Sequence, residues 1–169
     1  MDDLRNQFLE GMSRAATFVS VATTDGDGGL AGVTISSLTS VSADGDQPSL
    51  LACIHHLSPA AAAILKNRTF CANLLAEDQR DLSNLFAGRA GADHTARFSQ
   101  AGWTRGPLGQ PMLTGATAVF ECRLATALLW ETHHIIVGRV HSVRLSGNPA
   151  ALLYGQRAYH RAVHLPSEG

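Results

Sequence analysis

Hydroxyl side chains are concentrated between residues 31 and 42, where six of the twelve residues are serine or threonine. They are interleaved with apolar residues at strand spacing, so Thr34, Ser36 and Ser40 are predicted to share one face of a strand. Hydroxyls and exposed backbone N–H groups bind phosphate where no Walker-type glycine-lysine loop is present. The stretch therefore predicts a site for a phosphomonoester or a pyrophosphate. The alternative from these residues alone is a serine- and threonine-rich edge strand followed by a turn.

Two histidine pairs, His55-His56 and His133-His134, are further candidates for chemistry. Adjacent residues of a strand point to opposite faces, so neither pair is predicted to hold a metal ion together. No carboxylate lies at ligand spacing from His55-His56, and we predict no metal site. Taken alone, His133 is interpreted either as a partly exposed histidine at a strand end or as a binding residue.

The composition is that of an ordinary globular protein, with 45% hydrophobic and 16% charged residues in 169. This length predicts one domain, residues 1–169, because domains commonly contain about 100–150 residues. A formal net charge of −1 disfavours binding to nucleic acid or to an anionic membrane.

The cysteines and the N-terminus indicate the compartment. Cys53, Cys71 and Cys122 are widely spaced within apolar runs, which predicts buried thiols instead of disulfides or a zinc site. The N-terminus has no long apolar segment, and no run approaches about 18 apolar residues, so neither a signal peptide nor a membrane span is expected. Together these features predict a cytoplasmic protein.

Short β-type runs separated by turns dominate the sequence pattern, and the strands that they predict must position the candidate residues. Strands are predicted over residues 17–24, 30–35, 49–55, 70–75, 116–130 and 133–145, with a last strand or turn over 152–159. No G-x-G-x-x-G motif follows a strand and opens a helix, which excludes a dinucleotide-binding Rossmann domain. The pattern predicts an antiparallel barrel instead of a doubly wound parallel sheet.

Three helices and one long loop are predicted around these strands. Leu4, Phe8 and Met12 recur at helical spacing and predict an amphipathic N-terminal helix. Ser58-Pro59 predicts the start of a second helix, with serine as the N-cap, and a third is predicted over residues 77–88. Residues 89–111 are predicted to form a long loop, in which two aromatic side chains anchor the loop on the barrel, Phe98 and Trp103.

Several segments, in this order and spacing, resemble the short flavin reductases with an FMN-binding split-barrel fold. The resemblance is greatest to the reductase components of two-component flavin-dependent monooxygenases, of the 4-hydroxyphenylacetate and pyrimidine-degrading types. Each segment alone is a weak signal, but together they extend over roughly residues 5 to 163. The matching segments are residues 22–26, 32–42, 67–75, 82–88, 106–108, 121–123, 132–133, 137–138 and 159–160, with Phe98 and Trp103.

The resemblance implies a mostly β fold with flanking helices, an antiparallel Greek-key split β-barrel. It also implies a homodimer in which the flavin, FMN or FAD, lies across a barrel mouth at the subunit interface. Thr34, Ser36, Ser37 and Ser40 would hold the ribityl chain and phosphate. The remaining implied flavin contacts are the backbone of Cys53 and Ile54 at the isoalloxazine, Ser58 at its helix start, and a closing segment with Phe86, Ala87 and Arg89.

The implied activity is hydride transfer from NADH or NADPH to the flavin, with reduced flavin diffusing to a partner monooxygenase. His133, as the catalytic residue, and Tyr159 would lie near the nicotinamide. Glu131 stands where the family usually has glycine, so the conformation of this turn is open. Two alternatives are a non-catalytic flavin-binding or electron-carrying module, and an oxidase of a pyridoxine phosphate-like substrate. The latter is disfavoured because no basic cluster is present for a second phosphate.

Overall fold

The structure is a computed structural model that describes residues 2–88 and 96–165. Its helices are α1 (Asp2–Ser13), α2 (Pro59–Asn67) and α3 (Arg80–Phe86), with a 3-10 helix at Ala96–Gln100. Its strands are β1 (Thr17–Phe18), β2 (Ser20–Thr24), β3 (Ala31–Ile35), β4 (Thr39–Ser42), β5 (Ser49–His55), β6 (Thr69–Leu74), β7 (Trp103–Arg105), β8 (Pro111–Leu113), β9 (Ala118–Trp130), β10 (His133–Leu145), β11 (Leu152–Gly155) and β12 (Ala158–Arg161).

A seven-stranded antiparallel sheet forms the body of the fold, in the order β3-β2-β6-β9-β10-β5-β4. Strands β3 and β4 lie at opposite edges of this sheet, although only residues 36–38 join them. So short a connection requires the sheet to curve until its two edges approach each other. The hydrogen-bonded ladder does not close, and the predicted split barrel is confirmed.

Ser37 lies in the connection between β3 and β4, and its side chain is hydrogen-bonded to the backbone of β5. Its hydroxyl accepts a hydrogen bond from the Cys53 N–H (3.0 Å) and donates one to the Cys53 carbonyl (2.9 Å). In the register of β4 and β5, Thr39 pairs with Leu51, so Ser37 lies where the next backbone pair would form. The side chain therefore continues the ladder past the point at which strand β4 begins.

Two apolar cores lie on opposite faces of the central strands. The barrel interior contains Ala22, Ile54, Phe70, Cys122 and Ile136, each at most 2% exposed. The alternate residues of the same strands face a second core, in which α3 and β8 cover the outer surface of the barrel; it includes Val21, Phe86, Leu113 and Val119. Burial of both faces explains why β2 is buried at all five positions.

The helices differ from prediction in two respects. α1 forms as expected, but its apolar residues Leu4, Phe8 and Met12 are exposed in the single chain. α3 begins at Arg80 and not near residue 77, because Ala76 pairs with Ala151 beside the last strands and the chain makes a turn, closed by the bond from the Gln79 N–H to the Ala76 carbonyl, before the helix starts. Among the described residues, no helix is both long and apolar enough to cross a membrane.

The described part of the predicted loop contains a 3-10 helix and the two-stranded β7–β8 sheet. Phe98 and Trp103 both pack edge-on against Phe86, with ring centroids 5.1 and 5.7 Å from it. This confirms their predicted role as anchors of the loop. Arg89 lies outside the described residues.

Candidate functional site

Several of the predicted binding residues line one small cavity between β3, α3 and the β11–β12 hairpin. Thr34, Ser36, Ala87 and Tyr159 all contribute to its wall. The cavity has a volume of about 170 Å³. Because ligand pockets commonly measure about 300–1,000 Å³, this space fits a phosphate or part of a ribityl chain and not a whole flavin.

Helix α3 organises the polar side of the cavity. The Tyr159 hydroxyl donates to Asn84 Oδ1 and hydrogen-bonds with Ser83 Oγ, both at 2.9 Å. Thr34 Oγ1 donates to the carbonyl of Ser83 at 2.7 Å. The hydroxyl of Ser36, by contrast, has no hydrogen bond within the described part of the chain. Three of the predicted residues at this cavity carry a hydroxyl, namely Thr34, Ser36 and Tyr159. Of these, Ser36 is the one that can bind a ligand without breaking an internal hydrogen bond.

Sequence reasoning missed four residues of this wall, the apolar Val19 and Ile35 and the polar Ser83 and Tyr154. The signal for Ser83 was present, since it follows Leu82 and precedes Leu85 and Phe86 in a helix whose apolar residues face the core. It is 1% exposed. Tyr154 packs edge-on against Tyr159, with ring centroids 5.1 Å apart, because the two residues pair directly across β11 and β12.

Other predicted residues lie elsewhere. Ser37 and the backbone of Cys53 bond to each other, and Ile54 pairs with His134 and buries its side chain in the barrel. Ser40 lies exposed on β4 at the sheet edge. The backbone groups of Cys53 and Ile54 are therefore already paired within the sheet, and the two residues can form a wall beside a ligand.

Two further residues were predicted near the phosphate. Phe86 is 1% exposed and contributes to the second core, so its side chain packs the barrel. Ser58 occupies the N-cap position of α2 as predicted, but its hydroxyl makes no capping hydrogen bond. That hydroxyl therefore remains available to an anion beside the positive end of the helix, although the Ala61 N–H already donates to the carbonyl of Ser58.

Four residues, His55, His56, Thr132 and His133, form a histidine cluster at the ends of β5 and β10. His133 pairs with His55 across the two strands, and their rings meet edge-on with centroids 5.0 Å apart. The rings of His55 and His56 stack at 4.8 Å. Our expectation that these two side chains diverge was wrong, because β5 ends at His55 and strand alternation ends with it.

Hydrogen bonds hold this cluster to the β9–β10 turn. His56 donates twice to the carbonyl of Thr132, from its backbone N–H and from Nδ1, both at 2.9 Å. The Thr132 hydroxyl bonds to Nδ1 of His133 at 3.0 Å. Within the described residues, no group of three or more histidine, cysteine or acidic side chains is arranged to hold a metal ion.

The turn itself shows why glycine suits it. Glu131 adopts a φ of 50°, in the left-handed region that glycine enters without strain. The turn thus keeps a left-handed backbone despite the glutamate.

Two of the thiols are poor candidates for nucleophiles. Burial raises the pKa of Cys122 to about 12, and burial together with the nearby Glu121 raises the pKa of Cys71 well above its ordinary value. Because the thiolate is the reactive form, these groups are inert in the native fold.

Comparison with known proteins identifies the family. Residues 12–162 match the flavin reductase like domain. The FMN reductase (NADH) RutF of Methylorubrum extorquens strain DM4 is 40% identical over 162 residues, covering 96% of this chain and 77% of that protein. The solved structure of BorF, the flavin reductase component of a bacterial two-component tryptophan halogenase, is 32% identical with a TM-score of 0.83, covering 93% of this chain and 97% of that one. This chain belongs to the flavin reductase-like family that its motifs predicted.

Proposed function

We propose that this protein is an NADH-dependent FMN reductase that supplies reduced flavin to a partner monooxygenase. Nicotinamide-dependent flavin reduction is the activity of its family, and the choice of FMN and NADH follows the RutF relatives, which are named FMN reductases (NADH). The observation that carries the proposal is that residues 34–37 form one continuous segment, which runs from the cavity toward the histidine cluster. Thr34 and Ser36 line the cavity, and Ser37 contacts Cys53, two residues before the histidine cluster.

The residues present fit a phosphorylated flavin. The unpaired hydroxyl of Ser36 at the cavity and the uncapped start of α2 at Ser58 are neutral donors suited to a phosphate. When bound, the flavin accepts a hydride from C4 of the nicotinamide at its N5, which oxidises NADH to NAD⁺ and reduces the flavin. The protein supplies proximity and orientation, which accounts for a site without an acid-base pair or a nucleophile.

His133 is proposed to orient the nicotinamide. Its ring is exposed at the end of β10 and held by Thr132 and His55, so it is fixed yet accessible. Tyr159 is proposed to contact the same part of the ligand from the cavity side, and its hydroxyl is held in place by hydrogen bonds to α3. Neither role requires a change of protonation state, and both predict losses smaller than removal of a nucleophile would cause.

A homodimer is the proposed assembly. The cavity beside Thr34 and Ser36 measures about 170 Å³, too small for a whole flavin, so the rest of a flavin bound there must lie against other surfaces. The exposed apolar residues of α1 and of the β9 end, among them Phe8 and Trp130, provide surface for a second copy to cover. A partner enzyme that consumes reduced flavin is proposed by analogy with BorF, the flavin reductase component of a two-component tryptophan halogenase, and we propose that this partner is a monooxygenase.

The test is steady-state oxidation of NADH with and without added free FMN. A reductase oxidises NADH continuously and only when FMN is supplied, whereas an electron carrier of the same fold binds FMN without turnover. Parallel assays with FAD, riboflavin and NADPH decide the preferred substrates. Absence of FMN-dependent NADH oxidation, in a protein that binds FMN, would overturn the proposal in favour of a carrier.

A further inference from the structure

We propose that His55 is a positioning residue for hydride transfer, which acts by holding the ring of His133. The inference rests on the proposed function, because it gives His133 its role at the nicotinamide. It concerns a residue that the motifs did not connect with His133. The two histidines come together through the register of β5 and β10, in which His55 and His133 are direct partners.

The position of His55 is itself fixed on two sides. The backbone N–H of Leu57 donates to Nδ1 of His55 at 3.1 Å, which in the neutral ring places the hydrogen on Nε2. The ring of His56 stacks on the ring of His55, with the centroids 4.8 Å apart and an angle of 21° between the ring planes. His55 is exposed, yet these contacts hold its ring in one place.

The contacts form a closed circuit. His55 meets His133 edge-on at 5.0 Å and 77°, and His133 bonds to the Thr132 hydroxyl. Thr132 accepts two hydrogen bonds from His56, which stacks on His55. A side chain whose neighbours are each held in this way has fewer orientations available. Since hydride transfer depends strongly on alignment, removing one member is expected to slow the reaction without removing the ligand site.

Two features of His55 can be separated by substitution. His55→Asn keeps an acceptor for the Leu57 N–H but loses the ring, whereas His55→Phe keeps a ring against His133 but loses the acceptor. His55→Ala loses both. His141→Asn is the matched control, because His141 is an exposed histidine on β10, the strand of His133, and lies far along that strand from the cluster.

The experiment measures the rate of FMN reduction by NADH in anaerobic stopped flow, with the NADH dependence and the FMN dissociation constant of each variant. We expect His55→Ala and His55→Asn to reduce FMN about three- to tenfold more slowly, the range of an aromatic contact. FMN affinity should stay within about twofold, since a positioning contact acts on alignment and not on flavin binding. His55→Phe should recover most of the lost rate, and His141→Asn should match the wild type.

A coupled variant completes the test. In a His133→Ala background, His55→Asn should cause no further loss, because the two residues act as one unit. The inference is overturned if His55→Asn reduces FMN at the wild-type rate, if His55→Phe is as slow as His55→Ala, or if the losses add. A wild-type protein that does not reduce FMN overturns the proposed function and this inference together. A reductase slowed by His133→Ala but not by His55→Asn contradicts this inference alone.

Discussion

Ser37→Ala is expected to destabilise the fold more than it changes ligand binding. The substitution removes both hydrogen bonds that join residue 37 to the Cys53 backbone across the open edge of the barrel. Each such bond contributes about 0.5–1.5 kcal/mol net, so their joint loss predicts about 1–3 kcal/mol. Water reaches part of this region, which favours the lower half of that range. For a domain of this size the corresponding fall in Tm is about 2–4 °C per kcal/mol.

Urea unfolding followed by tryptophan fluorescence measures this change directly. Ser40→Ala is the matched control, because Ser40 is an exposed serine on the neighbouring strand, and we expect a change within about 0.5 kcal/mol. Equal stability of the two variants would refute the edge-bridging role of Ser37. If Ser37→Ala also lost FMN affinity without losing stability, its hydroxyl would serve the ligand and not the sheet.

Glu131→Gly should stabilise the protein by about 0.5–1 kcal/mol, because glycine adopts the left-handed φ of this turn without strain; unchanged denaturant unfolding would mean that the turn is not strained. In the native protein a thiol reagent at mildly alkaline pH should modify Cys53 alone, since burial raises the pKa of Cys122 to about 12 and also raises the pKa of Cys71. Peptide mass spectrometry checks this, and native labelling of either buried thiol would contradict it. Tyr159→Phe should lower stability by about 0.5–1.5 kcal/mol in thermal unfolding, through loss of its bonds to α3, and an unchanged Tm would show that those bonds contribute nothing.

Strong local patterns predicted the strands well. β10 has the predicted bounds, His133–Leu145, because a long alternating run between turn residues determines a strand locally. The start of α3 could not be predicted in this way. It depends on the pairing of Ala76 with Ala151, a contact between residues far apart in the chain.

The candidate site likewise contains residues that local patterns predicted and contacts that they could not predict. The hydroxyl stretch led to Thr34 and Ser36, which the structure brings to one cavity with Tyr159, while their binding of flavin stays a prediction. The contact of His55 with His133 required the register of two strands, which no local pattern gives. Ser37, which the resemblance assigns to the ribityl chain and phosphate, is hydrogen-bonded to the backbone of Cys53 on β5.

The central claim is hydride transfer from NADH to FMN on this protein, and anaerobic stopped flow with NADH deuterated at the transferred position tests it most directly. The account predicts bleaching of oxidised FMN that requires the protein, and a slower rate with the deuterated NADH. Bleaching no faster than in the absence of protein, despite measurable FMN binding, would contradict it.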